Sequence, residues 1–133
     1  MILSVVLSFV CLSLAGFARA KPKPKYEPKT VYYNWNVTWV WANPHPDGFG
    51  RSMIGIDGQW PCPTMEANVG ETVVVTLHNQ LGNQTTGMHF HGINQVWSPD
   101  MDGATGSTQC PIPPGSSLTY RFTVDGPGTF WCK

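Results

Sequence analysis

Charge is scarce in this chain. Only 12% of its 133 residues are Asp, Glu, Lys or Arg, and 8 acids balance 8 bases to a formal net charge of zero. Soluble chains ordinarily carry about 25% charged residues, so solvation here falls to Asn, Gln, Ser, Thr and Gly. The lack of a basic excess argues against a nucleic-acid partner, and the lack of charge runs argues against disorder and a coiled coil. Helical periodicity and internal repeats are also missing. The uncharged stretch from Ile2 to Ala18 holds 17 residues, short of the roughly 20 that span a bilayer. Turn formers and bulky residues are plentiful instead: 14 Gly, 12 Pro, 6 Phe, 6 Trp and 4 Tyr. Such a composition suits pleated sheets and tight turns, and the length allows one all-β domain.

Met1 to Ala20 is apolar, contains no acid and closes on Ala18-Arg19-Ala20. These features predict a secretory signal peptide over residues 1–20 and a secreted or cell-surface protein, although the usual basic residues at the start are missing. Its removal leaves seven bases against eight acids. Residues 21–29, Lys-Pro-Lys-Pro-Lys-Tyr-Glu-Pro-Lys, hold four of the five lysines, and their alternating prolines predict an extended leader. Secretion agrees with two glycosylation acceptors, Asn36-Val37-Thr38 and Asn83-Gln84-Thr85. With Cys11 in the signal, Cys62, Cys110 and Cys132 remain. An odd number in an oxidising compartment leaves at least one thiol free or joined to another chain.

Hydrophobic alternation predicts strands over most of the remainder. In Thr30 to Trp41, the residues Tyr33, Trp35, Val37 and Trp39 share one parity; in Ser117 to Val124, Leu118, Tyr120, Phe122 and Val124 do the same. Glu71 to Asn79 is the clearest strand. Shorter ones are expected at Met53 to Ile56, Thr64 to Val69, Met88 to Ile93 and Thr129 to Lys133, with a long connection from Ser98 to Pro114. Short strands at close spacing predict a Greek-key β-sandwich or barrel.

His89-Phe90-His91-Gly92 is the point of chemical interest. Two imidazoles at i and i+2 on a strand project from one face, about 6.5–7 Å apart at Cα, while Phe90 points to the other. The pair suits adjacent metal ions, and imidazole ligates Cu, Zn, Fe and Ni alike. Two solvated or hydrogen-bonded histidines would satisfy the same pattern. His78 has the opposite parity to Val73, Val75 and Leu77 and reads as a solvated or hydrogen-bonded residue, and His45, between prolines, as surface.

The strings G-Q-W-P-C-P-T-M-E-A-N-V-G-E-T-V-V-V (58–75), H-F-H-G (89–92), M-D-G (101–103), T-Q-C-P-I-P-P-G (108–115) and D-G-P-G-T-F-W (125–131) occur in this order. Together they resemble the first plastocyanin-like (cupredoxin) domain of fungal multicopper oxidases, nearest to the iron-transport ferroxidase and laccase-like branch. The resemblance covers residues 31–131 and implies an all-β, cupredoxin-like Greek-key fold over residues 30–133, with copper as cofactor. It gives His89 the role of type 2 copper ligand and His91 that of type 3 ligand. In the family, electrons from ferrous iron or phenolic donors enter at a type 1 copper in a later domain. They pass to a trinuclear cluster that reduces dioxygen to water, and a full-length ferroxidase would work beside an iron permease.

The family pattern continues past G-T-F-W with Tyr and a second H-x-H, whereas Trp131 is followed here by Cys132 and Lys133. The domain is therefore expected to be incomplete at its C-terminus and unable to reduce oxygen alone. The resemblance also offers a disulfide partner for Cys62 or Cys110, either each other or a downstream domain, while Cys132 reads as a thiolate ligand or the product of a frame or splice change. Asp102-Gly103 reads as a tight turn. Two other classes stay open: a one-domain cupredoxin that carries single electrons, and a secreted β-sandwich that binds a partner with its histidines incidental.

Overall fold

The computed structural model describes residues 27–44 and 47–133. The expected signal peptide, residues 21–26 of the leader and His45 lie outside them. Among the described residues six strands make up most of the regular structure: β1 (Thr30–Ala42), β2 (Arg51–Ile56), β3 (Thr72–Asn79), β4 (Phe90–His91), β5 (Ser117–Thr123) and β6 (Trp131–Cys132). A single 3-10 turn at Pro99–Met101 interrupts the long connection between β4 and β5.

Four strands form an open sheet in the order β2-β1-β3-β5, and β4 pairs with β6 in a separate two-stranded ribbon. β1 runs antiparallel to β2 and parallel to β3, while β3 and β5 are antiparallel. The register stacks side chains of like polarity across the sheet. Tyr33, Val75 and Tyr120 form one row, and Trp35, Leu77 and Leu118 the next. This face carries the core, which Phe90 and Met88 cover from the other side. Phe90 packs against Tyr120 and Phe122, with centroids 5.2 and 4.6 Å apart.

The opposite face is polar. His78 lies on it between Ser117 Oγ and Asn34 Oδ1, each 2.6 Å from a ring nitrogen, which agrees with its parity.

Two expectations need correction. Thr64 to Val69 is not a strand. The Glu66 amide donates to the Tyr33 hydroxyl, which in turn donates to the Glu66 carbonyl, both at 2.8 Å. One phenol thus satisfies the backbone groups that a neighbouring strand would have bonded, while Met65 still packs on the core. Trp39 has the parity of the core but is 41% exposed. The β1–β3 ladder ends at Val37 and Asn79, so Trp39 lies beyond that ladder. Its indole N–H turns instead to the Leu81 carbonyl at 3.1 Å and Asn83 Oδ1 at 3.2 Å.

Asn79 ends β3 inside the core, 1% exposed. Its Nδ2 donates to the carbonyls of Gln84 and Ile112 at 2.8 and 2.9 Å, and its Oδ1 accepts the Leu81 amide at 3.0 Å. Asn79→Ala strands these groups away from water and should cost about 2 kcal/mol. A urea midpoint unchanged from the native chain would contradict that accounting.

Candidate metal centre

The two histidines owe their positions to paired backbones. Phe90 pairs with Cys132 and His91 with Trp131. The ladder extends one residue further through His89 and Lys133, which exchange hydrogen bonds of 2.7 and 3.0 Å. Alternation then places both imidazoles opposite Phe90. Phe90 is 1% exposed, so burying it fixes the strand's rotation and holds both rings at the surface. The rings lie edge to face with centroids 5.6 Å apart, His89 half-buried and His91 exposed.

His89 is oriented from behind. Its Nδ1 lies 2.8 Å from the main-chain carbonyl oxygen of Asp102. A carbonyl only accepts, so Nδ1 donates, and in the neutral ring the lone pair sits on Nε2. The same carbonyl accepts the Phe90 amide at 3.1 Å, and the Asp102 carboxylate lies 3.2 Å from Nδ1. One residue thus sets the ring's tautomer and tilt and places negative charge behind it. Outer partners of this kind are characteristic of metal-bound histidines.

The loop that presents Asp102 is itself tied down. Gln95, 5% exposed, donates from Nε2 to the Met101 carbonyl at 3.3 Å and accepts from Ser98 Oγ at 3.0 Å. Gly103 follows at φ +79°, and a Cβ there would lie 1.7 Å from the Met88 carbonyl oxygen. Only glycine lets the loop pass this close to the strand that carries His89.

The expected site residues divide accordingly. His89 and His91 come together, Asn83 lies exposed in a loop, and Asn36 is half-buried within β1. Asn36 Nδ2 donates to Asp57 Oδ1 at 2.9 Å, and its Oδ1 accepts from Gln80 Nε2 at 2.8 Å. Cys62, Cys110 and Cys132 each stand as a free thiol in the structure. Asp102, read as a turn, also positions His89. M-D-G was its only signal in the sequence, and Gln95 had none.

Among the described residues no group of three or more His, Cys, Asp and Glu side chains is placed to hold an ion by itself. A cleft of about 410 Å³ lined by Val96, Trp97, Arg121 and Asp125 includes neither histidine in its walls. Burial, and after it the neighbouring Cys62, push the Cys132 thiol up, which favours the protonated form over a thiolate ligand. The donor set is therefore two imidazoles on an open surface. Such nitrogen donors fit copper.

Comparison with known proteins now decides the family. The sequence profile of the multicopper oxidases matches residues 36–132. The chain belongs to the multicopper oxidase family. An iron transport multicopper oxidase of Epichloe festucae is 58% identical over 103 residues, which cover 77% of this chain and 16% of that protein. An L-ascorbate oxidase of Cucumis sativus is 39% identical over 132 residues, 98% of this chain and 20% of the relative. The crystal structure of Fet3p, a multicopper oxidase that functions in iron import, superposes with a TM-score of 0.72 at 43% identity, covering 77% of this chain and 20% of that one. The fold is cupredoxin-like, the family's cofactor is copper, and this chain spans less than a quarter of the length of these relatives. The strands form open sheets rather than a closed barrel.

Proposed function

We propose that residues 30–133 form the first plastocyanin-like domain of a secreted multicopper oxidase, with His89 as a type 2 and His91 as a type 3 copper ligand. The bond from His89 Nδ1 to the Asp102 carbonyl carries this reading, because it makes Nδ1 the donor and gives the neutral ring its lone pair on Nε2, beside a second exposed imidazole. Bound copper supplies the one-electron steps that join oxidation of a donor to reduction of dioxygen. The protein's share is geometric. Asp102 keeps the proton on Nδ1, the buried Phe90 fixes the strand, and Gly92 at φ +91° turns the chain away directly after His91.

We further infer ferrous iron as the donor of the longer oxidase in preference to a phenol, because relatives at 58% and 52% identity are iron transport multicopper oxidases. An iron permease is then its membrane partner. Secretion through residues 1–20 goes with glycosylation, for which Asn83, in an exposed loop, is the better acceptor than Asn36, which is already bonded within the sheet. Among the described residues no helix is long and apolar enough to cross a membrane.

Copper titration tests the ligand assignment. Cu(II) at one hundred times its dissociation constant should stabilise the folded chain by about 2.7 kcal/mol, read as a raised thermal midpoint. His89→Ala and His91→Ala should each weaken binding at least about tenfold, since loss of an outer partner alone typically costs 10–100-fold. An unchanged midpoint in the native chain, or unchanged affinity in both variants, would refute the assignment. The copper-loaded chain alone should consume no oxygen with ferrous or phenolic donors, because two imidazoles do not make up a trinuclear ligand set. Measurable consumption would overturn that expectation.

A further inference from the structure

The three cysteines of the described residues are not equivalent in their surroundings. Cys62 is partly buried and packs against the core cluster that includes Phe90. Cys132 stands directly opposite Phe90 in the β4–β6 ladder. Residues directly opposite in an antiparallel pair project to the same side of the ribbon. Phe90 points into the core, so the Cys132 side chain turns the same way, toward the cluster on which Cys62 packs. Burial, and after it the neighbouring Cys62, push the Cys132 thiol up, which agrees with this placement. Cys110 and Cys132 are both exposed, but Cys110 belongs to the loop that leads to the Thr86–Ile112 bridge rather than to this ribbon.

We propose that Cys62 and Cys132 form a disulfide that fastens β6 to the body of the domain, leaving Cys110 unpaired. A small-molecule disulfide such as oxidised glutathione is the oxidant. One cysteine thiolate attacks it and releases a glutathione thiolate, and the second cysteine thiolate then displaces the other glutathione from the mixed disulfide. The two cysteines together lose two protons and two electrons, which leave as two molecules of glutathione thiol. The bond leaves Cys110 as the one odd thiol of the three. It also tethers a strand otherwise held by two ladder pairs and the His89–Lys133 exchange. That strand is the one paired with His91.

Peptide mapping decides the matter on the native chain. The folded protein is incubated with oxidised glutathione, its remaining thiols are alkylated, and it is digested and weighed without reduction. The expected product is a cross-linked peptide pair containing Cys62 and Cys132, lighter than the two thiol peptides by two hydrogens, with Cys110 alkylated. Cys110→Ser should give the same link. Cys62 joined to any other cysteine, or Cys62 and Cys132 both recovered alkylated, would overturn the proposal.

Discussion

Phe90→Ala should remove about 3–5 kcal/mol of stability, the usual cost of emptying a buried aromatic site. Phe90 is 1% exposed and packs on Tyr120 in a T-shaped contact and on Phe122 in a tilted one. Each such ring pair contributes about 0.5–1.5 kcal/mol beyond simple burial. The same ring is the only part of His89-Phe90-His91 that anchors the segment inside the core. Its loss should therefore also weaken copper binding at least about tenfold while leaving both histidines in place, an effect comparable to losing an outer partner of a ligand. Phe90→Leu, which still fills most of the space, should retain most of both properties. Urea unfolding followed by tryptophan fluorescence, together with a copper titration, separates the two effects. A loss below about 1 kcal/mol in the alanine variant would show that the core does not depend on this ring.

Gly103→Ala should damage the same site from the opposite side. Its φ of +79° costs a residue with a Cβ about 1–3 kcal/mol. The new methyl would also lie 1.7 Å from the Met88 carbonyl oxygen and 3.1 Å from His89 Cα, so the backbone itself must move. That shift draws the Asp102 carbonyl away from His89 Nδ1, and copper affinity should fall about 10–100-fold. Gly106→Ala is the matched control, since Gly106 has φ +81° with no atom within 4 Å of a built Cβ. It should suffer the backbone strain alone and leave copper binding intact. Equal behaviour of the two variants in both measurements would show that the close approach at Gly103 is without consequence.

These variants mark the boundary of what the sequence could show. Alternation located β3 and β5 because their inward residues meet one another across the ladder, as Val75 meets Tyr120 and Val73 meets Phe122. It misread Thr64 to Val69 because the alternative to strand pairing was a phenol contributed from β1. Trp39 obeyed the parity of the core yet lay past the end of the parallel ladder, and where a neighbouring strand stops is not a local property. At the metal centre, the spacing of His89 and His91 was legible because side-chain direction alternates along any strand. The group that orients His89 was not, since it is a main-chain carbonyl that every residue possesses. Only the shape of the M-D-G turn, held by Gln95 and by the bare Gly103, brings that oxygen into place.

The parallel pairing of β1 with β3 sets the tempo at which the chain can fold. Thr30 must find Thr72, which must in turn find Thr123, so the central ladders close large loops before their contacts reward the lost freedom. The nearby antiparallel pair of β1 and β2 can form early, but it then waits, with the open edge of β1 exposed, for β3 to arrive. Topologies of this kind fold slowly, in roughly milliseconds to seconds, and are exposed to association meanwhile. The lag between refolding of the native chain and recovery of its buried tryptophan signal is thus expected to depend on protein concentration, through chains that meet each other at β1 before β3 reaches it.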